Sequence, residues 1–243
     1  MMRKILLVSG ASSDIGGAFI RRTAKEYDQI VCHYGRTIQK IEGLIQEFGE
    51  KVVPLQADFS DPKQVEHFTV AMVERGLIPT HFVHLPAIPN VNLQFPKTEW
   101  ADYERQWTVQ VQSAYLLCRT FLPYMAKAKF GRVVFMLTEN VARAIPGKFA
   151  VPYSVAKYAL LGLMKCLAAE YAEKGITING ISPSMIETTF VSGVPELARS
   201  LSAESSPLKR NLSVDDVVPT IEFLLSDGAG MITGQNIVVM GGK

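Results

Sequence analysis

Short apolar runs of strand length alternate with longer amphipathic stretches from one end of the chain to the other, and this alternation constrains the fold most. Ile5–Ser9 is followed by Gly16–Glu26, Ile30–His33 by Ile38–Phe48, and Val52–Gln56 by Pro62–Arg75. The pattern continues through Phe82–Leu85, Tyr103–Ala128, Arg132–Leu137, Tyr153–Glu173, Ile176–Ile181, Val214–Leu225 and Asn236–Met240. Strands joined by helices need right-handed crossovers, and so give a parallel sheet covered on both faces. A chain of 243 residues, 48% of them hydrophobic, can bury one such core without dividing. The expectation is a single α/β domain over residues 1–243.

Charge excludes little but redirects attention: 25 basic residues oppose 23 acidic ones, with no long run of either sign. Nothing there suggests affinity for nucleic acid or membrane, so small-molecule chemistry is the starting point. Cys32, Cys118 and Cys166 are widely spaced in apolar segments, which reads as buried thiols in a reducing compartment. The apolar run after Arg3 and Lys4 leads into a glycine turn rather than a cleavage site, so it reads as a strand. No run of eighteen apolar residues occurs, which argues against a spanning helix. Ser182 to Ser213 breaks the alternation with no strong period. Ligands of open α/β sheets bind outside the carboxyl ends of strands, so residues 184–210 read as a substrate lid, with a plain surface excursion as the alternative.

Directly after the first strand comes Ser9-Gly10-Ala11-Ser12-Ser13-Asp14-Ile15-Gly16, opening a helix. Small residues let the backbone approach a pyrophosphate, and the helix N-terminus offers unpaired N–H groups and a positive dipole. The second strand ends His33-Tyr34-Gly35-Arg36, without the carboxylate that would bond the ribose hydroxyls of NAD. A guanidinium there favours a cofactor with a 2′-phosphate, unless Arg36 is simply a solvated surface residue. Asp58 offers an acceptor for an adenine amino group or a helix cap.

Tyr153-Ser154-Val155-Ala156-Lys157 places a phenol and an ammonium one helical turn apart on one face. A nearby cation favours phenolate, so the spacing predicts a Tyr153 pKa lowered toward neutrality. With the nucleotide turn upstream in a βα-repeating chain, the pair becomes specific. The sequence resembles the short-chain dehydrogenase/reductases over essentially its whole length, nearest to the 3-oxoacyl-[acyl-carrier-protein] reductases. Gly131-Arg132-Val133-Val134, Ile176-Thr177-Ile178-Asn179, Ile181-Ser182-Pro183 and the terminal Gly234-Gln235 and Gly241-Gly242 also match.

That resemblance implies a seven-stranded doubly wound Rossmann sheet, NADP(H) as cofactor, a cytoplasmic enzyme, and a homodimer or homotetramer formed through a four-helix contact. It implies Tyr153 as general acid, Lys157 as ribose ligand, and cofactor contacts from Gly10, Ser12, Ser13, Asp14, Ile15, Gly16, Arg36, Asp58, Phe59, Ala87, Pro183, Ile186 and Thr188. Val109, Tyr115, Leu116, Phe121, Leu160, Leu163 and Leu167 spread apolar surface around two helices, as a subunit interface requires. Lys129 and Lys174 match basic residues that dock an acidic carrier near the active-site mouth; solvated helix-end lysines are the alternative.

Four positions depart from the family pattern. Thr138 stands where serine usually orients the substrate carbonyl, and Gln110 where asparagine usually holds a relay water. His84-Leu85-Pro86-Ala87 replaces Asn-Asn-Ala-Gly, and Asp14 replaces a glycine, placing a carboxylate near a pyrophosphate site unless it points away. The function expected is reduction of a 3-oxoacyl thioester. The alternatives are a dehydrogenase of another small alcohol or ketone and a nucleotide-binding partner subunit with little activity.

Overall fold

The computed structural model describes residues 3–243. Its first half is three βα units: β1 (Ile5–Ser9), α1 (Asp14–Thr23), β2 (Gln29–Tyr34), α2 (Gln39–Phe48), β3 (Val52–Gln56) and α3 (Pro62–Glu74). The second half continues with β4 (His81–His84), α4 (Trp100–Trp107), α5 (Ser113–Ala128), β5 (Gly131–Met136), α6 (Val151–Tyr171), β6 (Ile176–Pro183), α7 (Glu196–Ser205), α8 (Val214–Leu225) and β7 (Asn236–Val239). The seven strands form one parallel sheet in the order β3-β2-β1-β4-β5-β6-β7, as the resemblance implies.

Successive strand residues point to opposite faces, and each face has its own core. Leu6 and Val8 of β1 pack with Phe19, Ile20, Leu44 and Ile221 from α1, α2 and α8. Ile5 and Leu7 pack with Phe68, Phe121 and Leu160 from α3, α5 and α6. That is why the strands read as continuous apolar runs rather than alternating ones. Strand order reverses between β1 and β4, which opens a crevice beyond their carboxyl ends.

Three features depart from expectation. The stretch 103–128 is not one α-helix: α4 begins at Trp100, where Glu99 and Asp102 form a reciprocal capping box, and a π-helical turn at Thr108–Gln112 separates it from α5. The segment 184–210 contains a helix, α7. Cys166 is exposed on α6, whereas Cys32 and Cys118 are buried as anticipated. No helix of the described residues is long and apolar enough to cross a membrane.

Candidate active site

The turn after β1 is built by close packing. Gly10 has φ +77°, and a Cβ there would stand 3.3 Å from the Leu85 side chain and the Pro86 backbone. A Cβ on Gly16 would lie 2.8 Å from the Gly10 carbonyl oxygen, so α1 could not start so near the strand. Ser13 is the N-cap: its hydroxyl donates to the Gly10 carbonyl (2.8 Å) and accepts from the Gly16 N–H (3.1 Å).

His33, which sequence reasoning passed over, braces this turn. Its Nδ1 accepts from the Gly10 N–H at 3.0 Å, its Nε2 donates to the Ala57 carbonyl at 2.9 Å, and its ring stacks on Phe59 at 3.7 Å. Burial pushes its pKa down to about 4, so the ring is neutral and the tautomer is set by the two backbone partners. Phe59 thus sits beneath the nucleotide end as a ring support. Arg36 is exposed and makes no ion pair among the described residues. Asp58 accepts from both the N–H (2.9 Å) and the hydroxyl (2.7 Å) of Ser60; these bonds, with Arg36 contributing, hold it below the usual carboxylate range.

Beyond the carboxyl ends of β1, β4, β5 and β6 lies a cavity of about 560 Å³. Ser13, Asp14 and Ile15 line one end, Thr138, Tyr153 and Lys157 the other, with Ala87, Pro183, Ile186 and Thr188 between. Gly10, Ser12, Gly16, Arg36, Asp58, Phe59 and Gln110 are not among its lining residues. The helical register of α6, entered through Pro152 at its first turn, turns Tyr153 and Lys157 to the same side. Lys157 is 1% exposed, and its one protein partner is the Met136 carbonyl at 2.7 Å. A buried ammonium with two unused donors is an incomplete site, and sugar hydroxyls would complete it. With the helix N-terminus at the far end of the same cavity, the residues present fit a nicotinamide dinucleotide.

The electrostatics reverse one expectation. Tyr153 is not lowered: burial pushes its phenol up to about 12, Glu139 adds to the rise, and the Thr138 hydroxyl pulls the other way. Lys157 lies 5.7 Å from the phenol ring and is itself lowered to about 7 by burial. An amine that desolvation has half discharged at neutral pH cannot stabilise a phenolate well.

Gln110 sits in the π-helical turn, fully buried, with its amide nitrogen donating to Gln106 Oε1 at 2.5 Å and its own Oε1 unpartnered. His84 receives the Ser9 hydroxyl at Nδ1 (2.9 Å) and donates from Nε2 to the Gln110 carbonyl (3.1 Å). Both ring nitrogens are therefore satisfied, and burial and Lys157 push its pKa down to about 3. Asn140, also missed, ties the loop after Thr138 to α6: it donates to Ser154 Oγ (3.0 Å) and accepts from the Gly147 N–H (3.2 Å). Only its place two residues beyond Thr138 pointed toward it.

Lys129 and Lys174 do not line the cavity. Lys129 caps the end of α5, Lys174 follows α6 and pairs with Glu173 at 2.8 Å, and both precede the amino ends of β5 and β6. Six residues of β5 separate that end from the cavity, about 20 Å at the rise of a strand.

A profile of the family described as enoyl-(acyl carrier protein) reductase matches residues 10–243. The chain belongs to the short-chain dehydrogenase/reductase family of nicotinamide-dependent oxidoreductases. Nodulation protein G of Azospirillum brasilense is 28% identical over 100% of this chain and 98% of the relative. The 3-oxoacyl-[acyl-carrier-protein] reductase FabG of Staphylococcus epidermidis is 28% identical over 99% of both chains. The crystal structure of levodione reductase superposes with a TM-score of 0.89 at 24% identity, over 98% of this chain and 96% of that one.

Proposed function

We propose that this chain reduces a 3-oxoacyl thioester, probed best on a carrier protein, to the 3-hydroxyacyl thioester with NADPH, in the cytoplasm. The observation that carries the reading is buried Lys157, with one donor used, beside Tyr153 and Thr138 in the cavity that begins at the α1 N-terminus. Bound NADPH supplies the hydride that the carbonyl carbon accepts. Tyr153 delivers the proton to the carbonyl oxygen, for which its phenol is protonated at neutral pH. Thr138 offers the hydroxyl that orients the carbonyl, with Asn140 bracing its loop. Lys157 holds the ribose with its free donors. Arg36 and the missing strand-end carboxylate favour the 2′-phosphate.

Residues 184–210 act as the lid, with Ile186 and Thr188 on its cofactor side. Gln110 contributes through its buried backbone rather than as a side-chain relay. The exposed Tyr115, Tyr124, Val155 and Tyr158 on α5 and α6 support association of two copies through that face. A two-fold axis perpendicular to these helices would run each antiparallel to its copy and bring Lys129 and Lys174, at their carboxyl ends, toward the amino ends of the copy's α5 and α6. A polar ketone is the second reading, favoured by Glu139, a carboxylate lining the cavity next to Thr138.

NADPH consumption with acetoacetyl-carrier protein, its free thioester and a panel of polar ketones tests these readings. Turnover of the thioesters that Tyr153→Phe abolishes is expected. Turnover of polar ketones alone, or NADPH binding with none, overturns the substrate assignment.

A further inference from the structure

Asp14 occupies a glycine position of the nucleotide turn, yet its carboxylate is engaged elsewhere. Oδ2 accepts the Thr189 backbone N–H at 2.6 Å, across a separation of 175 residues. Thr189 opens a short 3-10 turn, Thr189–Val191, whose first N–H groups have no partner within the turn itself. Asp14 supplies that partner, and its own charge is stabilised by the α1 N-terminus on which it sits. Lys40 Nζ approaches the Thr189 hydroxyl at 3.4 Å from the start of α2.

Most other hydrogen bonds of the segment lie at its root, with Lys243 Nζ donating to Ser202 Oγ (3.1 Å) further along, on α7. Leu212 N–H donates to the Met185 carbonyl (2.9 Å), Glu187 N–H to the Leu212 carbonyl (2.8 Å), and the Glu187 carboxylate accepts from Arg199 and Asn211 (2.7 Å each). Asp14 and Thr188 to Val194 line the same cavity, so the clasp joins floor and roof at its nucleotide end.

We propose that Asp14 is a positioning residue for the lid: its carboxylate clasps Thr189 and holds the 186–194 segment over the nucleotide end of the cavity. This rests on the reading of that cavity as the cofactor site. A dinucleotide enters or leaves only when the clasp opens, so the bond sets exchange rates rather than the chemical step.

Thr189→Pro deletes the backbone donor together with the hydroxyl that Lys40 approaches, and Thr189→Val, which loses the same hydroxyl but keeps the N–H, is its control and should retain the protection. Proline is well tolerated at the first position of a helical turn, and Thr188 (φ −145°, ψ 168°) already has the extended backbone a following proline demands. Asp14→Ala deletes the acceptor, and Asp14→Asn keeps an acceptor without the charge. Hydrogen exchange of the cofactor-free protein reads the clasp directly. A bond of this exposure is expected to slow exchange of the 186–194 amides by about three- to tenfold, a protection lost in Thr189→Pro and in Asp14→Ala and not lost further in the double variant. Asp14→Asn should retain part of it. NADPH release, followed by its fluorescence in stopped flow, should accelerate by a similar factor in the same variants.

Unchanged exchange in both single variants, or additive losses in the double one, overturns the clasp. Faster exchange with unchanged NADPH release overturns its role in gating. Faster exchange in a protein that binds no NADPH leaves the clasp standing and refutes the cofactor reading instead.

Discussion

Lowering the pH from 7 to 5 should destabilise the protein by about 6 kcal/mol, because three histidines are buried neutral. His33 and His81 are 4% exposed and His84 is 0% exposed, and burial is the largest cause of each shift. Their pKa values fall from 6.5 to about 4, about 4 and about 3 respectively. A depressed folded-state pKa means that the unfolded chain binds three more protons throughout the window between. Stability is thus fully present above pH 6.5 and lost as the pH falls toward 4. At pH 5 each residue has lost about 1.5 pH units of linkage at about 1.4 kcal/mol per unit, or about 2 kcal/mol. Three such losses rival the whole stability of an ordinary domain, about 5–15 kcal/mol. Urea unfolding of the cofactor-free protein at pH 7, 6 and 5 measures this. His81 stands at the amino end of β4, away from the cavity, so His81→Asn should remove about one third of the pH dependence without touching the site. A loss below about 1 kcal/mol between pH 7 and 5, or a slope unchanged in His81→Asn, refutes the reasoning.

Other consequences can be checked separately. Lys157 has a folded-state pKa lowered to about 7, so the unfolded chain binds the extra proton above that value and stability should rise by about 2 kcal/mol from pH 7 to 9. Lys157→Met should flatten that rise in urea titrations of the cofactor-free protein. Arg36→Ala should weaken NADPH about 10- to 100-fold by calorimetry and leave NADH nearly unaffected, whereas equal losses would deny it a phosphate contact. Gly16→Ala places a methyl 2.8 Å from the Gly10 carbonyl, and should cost about 1–3 kcal/mol in thermal unfolding and loosen cofactor binding.

Periodicity reaches far along a chain like this one. Apolar runs buried on both faces separated by amphipathic stretches admit few architectures, and the seven-stranded parallel sheet is the one formed. The Gly10–Gly16 turn and the Tyr153–Lys157 pair were equally legible, because a strand-to-helix turn and one helical turn are local geometry. The capping box that starts α4 at Trp100 is also local, but Glu99-Trp-Ala-Asp102 lacks the usual Ser or Thr and was passed over. The π-helical turn at Thr108–Gln112 has no comparable sequence signal.

What composition and spacing by themselves determined was therefore the layer order, the tight strand-to-helix turn after β1 and the shared helical face of Tyr153 and Lys157. Desolvation belongs to the folded surroundings, which is why Tyr153 rises to about 12 although the lysine one turn away suggested a fall. Tertiary structure alone decided that His33 locks the Gly10 turn, that His84 occupies the Gln110 carbonyl, and that Asp14 turns from the nucleotide end to Thr189. It also put Lys129 and Lys174 at the far end of the sheet, because strand direction, not residue type, sets which end of the molecule a helix terminus reaches. Each of these contacts joins segments distant in sequence, and burial and direction there follow from packing that no local pattern encodes.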